Sequence, residues 1–302
     1  MPRHRSLDWR PDAEQLYWRE RYEGTNVLRP ELQAQLAPFL QSVAQAPQAA
    51  LLLDYDGTLA PFQQKRDDAF PYPGVLPLLQ KIMLAGRTQL VIISGRDASD
   101  VLPFLHLHPR PEIWGIHGLQ RLRTNGSLEM PLLDERTRSG LSDAERWLNY
   151  QGLRHAAEFK AGGIAVHWRG LDEIAVEDLC SRVLLGWRSI AEHNHLDLLP
   201  FDGGVEIRAG DRDKGDAVRT LLSEMNPNIP VAYLGDDITD ESAFLAIEGR
   251  GIGVLVRPRW RQTEAHFWLK PPGELLDFLN LWHDLSTPAP TPHLQPLRQQ
   301  RA

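Results

Sequence analysis

The sequence predicts an α/β protein with a second, α+β domain inserted into it. Three observations carry that expectation. A continuous apolar run, residues 49–53, leads straight into two carboxylates, Asp54 and Asp56. That is the pattern of a central strand buried on both faces of a sheet. Apolar strands alternate with amphipathic helices up to about residue 121, and again after about residue 209, which is the rhythm of βαβ units. Between these stretches the pattern changes to hairpins interleaved with long helices, which does not continue a doubly wound repeat.

Taken in order, residues 1–30 are polar and aromatic without a clear period, with Trp9, Tyr17 and Trp18 as anchors. Pro30 starts a helix bearing Leu32, Leu36, Leu40 and Val43, since proline suits a first helical position. After the 49–53 strand, Pro73 and Gly74 turn the chain into a helix with Val75, Leu78, Leu79 and Ile82 on one side, ending near Gly86. Residues 90–93 form the next strand, and Asp97 or Ser99 caps the helix after it. Ile113, Trp114 and Ile116 mark a third strand that empties into His117 and Gly118.

Asn125-Gly126, within alternating residues 122–132, is a hairpin signal and is taken to open the inserted domain. A helix over 144–153, strands over 156–160 and 164–168, a helix over 172–190, and strands over 196–199 and 205–208 complete that domain. The α/β rhythm returns with a helix over 214–225, a strand over 231–234, a short helix over 238–245 and a strand over 251–256. Residues 263–269 and 274–281 are expected as helical pieces, before a tail with prolines at 288, 290, 292 and 296 that is expected to be disordered. The domains are thus 1–47 (arm and helix), 48–121 with 209–284 (core), 122–208 (insert) and 285–302 (tail).

Composition narrows the function classes. Among 302 residues, 40 acidic against 33 basic give a net charge of -7. No Lys/Arg block marks a nucleic-acid surface. One cysteine, Cys180, leaves no intrachain disulfide and suits a reducing compartment. It shares a helical face with Val176, Leu179 and Val183. There is neither an apolar leader nor an apolar span of membrane length. A cytoplasmic protein, monomeric or weakly dimeric, is the expectation.

Four groups of polar residues follow strands or open helices, where ligands of open α/β sheets gather. The first is Asp54 and Asp56, two residues apart in extended chain and so on one side. Like charges that close need a cation, a shared proton, or both. Alone, the pair also fits an Asp-x-Asp-Gly surface turn. The second is Ser94, either a donor to a phosphoryl oxygen or a helix cap. The third is Lys214, which opens a helix and reads as a phosphate ligand or as solvated surface. The fourth is Asp236 and Asp237, reinforced by Asp240. Carboxylates at the end of a buried strand are costly without a metal or strong donor, and oxygen ligands without His or Cys favour Mg²⁺. Together the groups divide the work of phosphoryl transfer. Asp54 is the nucleophile forming an aspartyl-phosphate, and Asp56 the general acid and base. Ser94 and Lys214 take up charge, and Mg²⁺ is held by Asp54, Asp56, Asp236, Asp237 and Asp240.

The order of these groups resembles the four motifs of the haloacid-dehalogenase superfamily. The closer resemblance is to its trehalose-6-phosphate phosphatase family, over about residues 48–282. It rests on Ser94-Gly95-Arg96, His117-Gly118, the run from Gly235 to Phe244, Glu158-Phe159-Lys160 with His167-Trp168-Arg169, Glu206-Ile207-Arg208 ahead of Lys214-Gly215, and Thr263 with Ala265. The resemblance implies a Rossmann-like core with an inserted α+β cap of the C2 type. It also implies Mg²⁺-dependent hydrolysis of trehalose 6-phosphate, made by a separate synthase, since 48 residues cannot hold one. The alternative is another sugar phosphate, such as sucrose 6-phosphate or glucosyl- or mannosyl-3-phosphoglycerate. Glu158, Lys160 and Arg169 in the cap and Glu206 at its return are the implied sugar-binding residues. Arg96 and His117 join them as substrate-binding residues, although Arg96 fits equally as a partner of an acidic motif residue and His117 as a donor to a loop carbonyl. Two positions depart from the family: Gly203 stands where a lysine is common, and Ala209 replaces a proline.

Overall fold

The structure is a computed structural model that describes residues 28–63, 68–168, 170–201, 203–210 and 212–287. Trp9, Tyr17, Trp18, Arg169 and the proline-rich segment from 288 lie outside the described residues.

The core is built on strand β1 (Ala49–Leu53), which is buried along its whole length. Its neighbours are β2 (Thr88–Ile93) and β10 (Val231–Gly235), both parallel to it. Outward from β10 lie β11 (Ile252–Val256) and β12 (Phe267–Leu269). Outward from β2 lie β3 (Glu112–Gly115), β4 (Gln120–Leu122) and β5 (Leu128–Glu129). The sheet order is β12-β11-β10-β1-β2-β3-β4-β5. Strand alternation explains why β1 is apolar throughout. Ala49, Leu51 and Leu53 face one packed layer, and Ala50 and Leu52 face the other.

The first layer holds helices α1 (Pro30–Gln45), α2 (Val75–Leu84), α3 (Ala98–Leu105) and, at the end of the chain, α8 (Gly273–Ser286). The second holds α6 (Lys214–Glu224) and α7 (Glu241–Ile247). The expected apolar faces are the buried ones: Leu32, Leu36, Leu40 and Val43 in α1, and Val75, Leu78, Leu79 and Ile82 in α2. Asp97, not Ser99, caps α3, accepting from the Ser99 amide at 2.9 Å. Truncating a β1 leucine to alanine would open a cavity between the layers and cost about 2–5 kcal/mol.

The inserted unit has its own core. Helices α4 (Glu135–Gln151) and α5 (Glu173–Asn194) cover one face of a second sheet, β6-β7-β9-β8. Its strands, β6 (Ala157–Lys160), β7 (Gly163–His167), β8 (Leu196–Phe201) and β9 (Gly204–Ala209), are all antiparallel. Ile164, Val166, Val205 and Ile207 point into this core. The alternate positions therefore form the other face.

Two expectations need correction. The Asn125-Gly126 hairpin does not open the insert. β4 pairs antiparallel with β3 and β5 with β4, so both extend the core sheet. Arg121 fixes this edge by pairing with Glu112 and Glu224, a contact between residues far apart in sequence that hairpin spacing does not reveal. The insert begins instead at α4, capped by Asp134. Residues 263–269 do not form a helix. Phe267–Leu269 adds a parallel edge strand against Val254–Val256, and the aromatic pair Phe267 and Trp268 suits a pleated surface better than a helix.

Candidate active site

The strand register brings the four polar groups to one end of the core sheet. Leu53 pairs with Leu234 across β1 and β10, and with Ile92 across β1 and β2. The chain then leaves each strand at the same level, so Asp54, Ser94 and Asp236 emerge together. Gly57, at φ 84, permits the close approach that follows, because a Cβ there would lie 2.2 Å from an Asp236 carboxylate oxygen.

Lys214 ties the cluster together. Its Nζ donates to Asp54 Oδ1 and to Asp240 Oδ1, each at 2.7 Å. Helix α6 delivers it through a capping box of Asp213 and Asp216. Thr58 donates to the second Asp54 oxygen at 3.1 Å. Asp240 is saturated: Lys214 and the Tyr233 hydroxyl donate to Oδ1, and the amides of Asp236 and Asp237 donate to Oδ2 at 3.0 and 2.9 Å. Asp236 is the opposite case. Both its carboxylate oxygens are buried without a hydrogen-bond partner.

Charge states follow from this crowding. Burial pushes Asp54 up to about 7, against the pull of Lys214. Burial and the neighbouring Asp54 and Asp240 carboxylates push Asp236 well above the ordinary range. Burial also works against the charge on Lys214, but Asp240 and Asp54 outweigh it and raise the ammonium pKa. Fully ionised, three buried carboxylates would share one ammonium and carry two negative charges in excess, which the raised Asp54 and Asp236 values express and a divalent cation would match. Ligand oxygens of Asp54, Asp236 and Asp240 lie within 4.8 Å of one another. The orphaned Asp236 oxygens fit such an ion, whereas the filled Asp240 carboxylate fits the role of an anchor for Lys214.

Asp56 and Asp237 do not join that cluster. Asp56 is gripped in a bidentate pair by Arg96, with Nε at 2.6 Å, and Asp237 Oδ1 accepts from the Ile238 amide at 2.7 Å. Arg96, expected to bind substrate or to pair with an acidic motif residue, makes the second contact here and also lines the cleft. The buried guanidinium lies over the rings of Tyr55 and Phe104, at 5.1 and 5.4 Å. Ser94 is buried, and its Oγ accepts from the Arg96 amide at 3.1 Å.

The other face of the insert's sheet carries three rungs of residues, from which Glu158, Lys160, His167, Phe201 and Glu206 reach the same cleft. One rung is Glu158, Ala165, Glu206 and Leu199, the next Lys160, Gly163, Arg208 and Asp197, and the third His167, Gly204 and Phe201. Lys160 Nζ donates to Glu206 Oε1 at 2.9 Å. His117, from the core, reaches Glu206 Oε2 at 3.1 Å and so spans the two units. Burial would push the Glu206 carboxyl up, but the Lys160 and Arg208 charges and the hydrogen bond from His117 outweigh it and hold it well below the usual range. Burial lowers His117 to about 4 despite Glu206. Its ring is therefore neutral at pH 7 and donates Nε2–H to the carboxylate. His167 bonds Glu158 at 2.9 Å. A cleft of about 590 Å³, partly open to solvent, is lined by Asp54, Asp56, Lys214 and Asp236 on the core side and by Glu158, Lys160, His167, Phe201 and Glu206 on the other.

Of the residues singled out in the sequence, Asp54, Asp56, Arg96, His117, Glu158, Lys160, Glu206, Lys214, Asp236 and Asp237 line this cleft, and Asp240 belongs to its polar cluster. Sequence reasoning missed Tyr233 as a partner of Asp240, and His167 and Phe201 as cleft residues. Strand alternation could have found the last two, since His167 and Phe201 occupy the rung with Gly204.

A parallel sheet with carboxylates at the ends of its central strands, and an α+β unit closing over them, is the haloacid-dehalogenase fold. A phosphatase of that superfamily from Bacteroides thetaiotaomicron, 15% identical, superposes with a TM-score of 0.54 over 78% of this chain and 95% of its own. The C-terminal domain of the C. albicans trehalose-6-phosphate phosphatase superposes with a TM-score of 0.73 at 20% identity, over 86% of this chain and 99% of that one. The trehalose-phosphatase family model matches residues 52–268, and the chain belongs to that family. The trehalose-phosphate phosphatase of Mycobacterium tuberculosis (strain H37Rv) is 32% identical over 249 residues, which span 77% of this chain but 61% of that protein's length.

Proposed function

We propose that the protein is a Mg²⁺-dependent phosphomonoester hydrolase that converts trehalose 6-phosphate to trehalose and phosphate. One observation carries the reading. The buried Asp54, Asp236 and Lys214 cluster shares a cleft with a face of carboxylate, ammonium and imidazole groups on the insert. Family membership supports the sugar phosphate, and the all-oxygen donor set supports Mg²⁺ as the ion, held by Asp54 and Asp236. When bound, that ion neutralises charge between the phosphate and the attacking carboxylate.

The chain's own groups supply the rest. An Asp54 oxygen attacks phosphorus, and the bond from phosphorus to the sugar oxygen breaks as Asp56 gives that oxygen its proton. Asp56 then removes a proton from water, whose oxygen attacks phosphorus and releases Asp54 with inorganic phosphate. Arg96 pairs with the carboxylate form of Asp56 and so holds it at the cleft wall once its proton has gone to the leaving oxygen. Lys214 holds Asp54 in line and, with Ser94, takes up charge on the phosphoryl oxygens. Glu158, Lys160 and Glu206 are the sugar-reading groups, since such charged pairs both accept from and donate to hydroxyls. Gly203, at φ 94, uses a backbone conformation that a lysine would strain to adopt. The positive charge on the sugar side then comes from Lys160 and from buried Arg208, one rung away from Glu206. A single cysteine, Cys180, suits a reducing compartment such as the cytoplasm, and among the described residues no helix is long and apolar enough to cross a membrane.

Asp54→Asn tests the reading. Phosphate release should vanish, while Mg²⁺-dependent binding of trehalose 6-phosphate stays measurable by calorimetry. Comparable turnover in the variant would refute Asp54 as the nucleophile.

A further inference from the structure

The Asp236 carboxylate poses a problem of placement. Neither oxygen has a hydrogen-bond partner, so no side chain or amide aims it into the cleft. Its direction is set by the main chain of the turn after β10. That turn is held from two sides. Inside, the amides of Asp236 and Asp237 donate to Asp240. Outside, Arg257 Nη1 and Arg261 Nε donate to the Asp236 carbonyl at 3.2 and 3.4 Å, and Arg261 Nη2 donates to the Asp237 carbonyl at 2.7 Å. The peptide joining the two aspartates is therefore gripped at its carbonyl by guanidinium and at its N–H by carboxylate.

The grip is itself built in. Arg261 pairs with Glu241, which also accepts from the Thr263 hydroxyl at 2.9 Å and the Glu264 amide at 2.7 Å. The Arg257 main chain is fastened to the edge of the sheet, its amide to the Leu269 carbonyl at 3.0 Å and its carbonyl to the Trp268 indole at 2.8 Å. A planar guanidinium spans two successive carbonyls, which a lysine ammonium does less well.

We propose that Arg261, assisted by Arg257, is a positioning residue that clamps the acidic turn so that the Asp236 carboxylate is presented to the cation. The proposal rests on the metal-dependent reading above. It makes the loop after β11 part of the machinery for holding the ion, although neither arginine lines the cleft or belongs to the acidic cluster.

The test is Mn²⁺ binding to the full chain without substrate, followed by electron paramagnetic resonance, for wild type, Arg261→Met, Arg261→Lys and Arg257→Met. Arg261→Met should raise the Kd by about tenfold or more, the scale on which supports behind metal ligands act. Arg261→Lys and Arg257→Met should give smaller rises. The Mg²⁺ concentration for half-maximal phosphate release should rise in parallel, with turnover recovering at saturating Mg²⁺. A merely structural arginine would lower the melting temperature in chelator and leave the Kd where it was. Folded Arg261→Met with a wild-type Kd overturns the clamp, and if that variant does not fold, an unchanged Kd in Arg257→Met does so. Wild type that binds Mn²⁺ yet releases no phosphate removes the phosphatase reading alone, and wild type that binds no Mn²⁺ removes both.

Discussion

Replacing Lys214 with methionine keeps the aliphatic stem and deletes the one ammonium among three buried carboxylates. The pairs it forms with Asp54 and Asp240 are almost wholly out of water, with side-chain exposures of 3%, 4% and 0% for Lys214, Asp54 and Asp240. Removing one partner of such a pair costs about 3–5 kcal/mol, because the charges left behind stay desolvated and unpaired. With a urea dependence of about 3 kcal/mol per molar for a protein of this size, the midpoint of the core transition should fall by roughly 1–1.7 M. The assay is urea unfolding at pH 8 in excess chelator. Saturating Mg²⁺ should recover part of the loss, since a ligand at 100 times its Kd stabilises by about 2.7 kcal/mol. At pH 5 the loss should also shrink, because Asp54 and Asp236, with their raised pKa values, then carry protons. A fall below about 0.3 M at pH 8 in chelator, equivalent to about 1 kcal/mol, would refute the idea that Lys214 holds the cluster together.

Other outcomes follow from the same geometry. Glu158→Ala should lower kcat/KM for trehalose 6-phosphate by about 100-fold and that for a small aryl phosphate far less, because only the former reaches the insert; equal losses, read by phosphate release on both substrates, would remove Glu158 from sugar recognition. Arg96→Met should cut turnover by releasing Asp56 from the cleft wall while leaving Mn²⁺ binding within about twofold of wild type, since Arg96 does not touch the cation cluster; a large change in Mn²⁺ affinity would contradict that separation. His117 gives a pH dependence. Its folded-state pKa, about 4, lies below the ordinary 6.5, so the unfolded chain binds its proton first on acidification and stability is lost as pH falls from about 6.5 to about 4. The stability advantage of wild type over His117→Asn should therefore narrow between pH 7.5 and 4.5, as read by melting temperature, and a constant difference would contradict the buried neutral imidazole.

The parts of this protein legible in its sequence are those governed by local pattern. The unbroken apolar run of β1 announced a strand buried on both faces, and the carboxylates after it announced the end where ligands gather. The helix faces of α1 and α2 showed in their spacing. What escaped was decided by contacts between distant residues. The Asn125-Gly126 turn was legible as a hairpin, but its attachment to β3 depends on Arg121 meeting Glu112 and Glu224. Residues 263–269 have no strong period, and pairing with β11 decides their state. In the site, residue types pointed to a metal and a phosphate, yet the division of labour did not show. Whether Asp240 binds a cation or anchors Lys214 depends on Tyr233, and whether Arg96 meets substrate or Asp56 depends on how β1 and β2 end side by side.

The most direct test is phosphate release by the purified protein with Mg²⁺ and with excess chelator, across trehalose 6-phosphate, sucrose 6-phosphate, glucose 6-phosphate and glucosyl-3-phosphoglycerate. Release should depend on Mg²⁺ and favour trehalose 6-phosphate in kcat/KM by at least about tenfold, a difference of about 1.4 kcal/mol in transition-state binding. Release that persists in chelator would contradict the acidic cluster as a cation site, and equal rates across the four substrates would contradict the insert as the reader of the sugar.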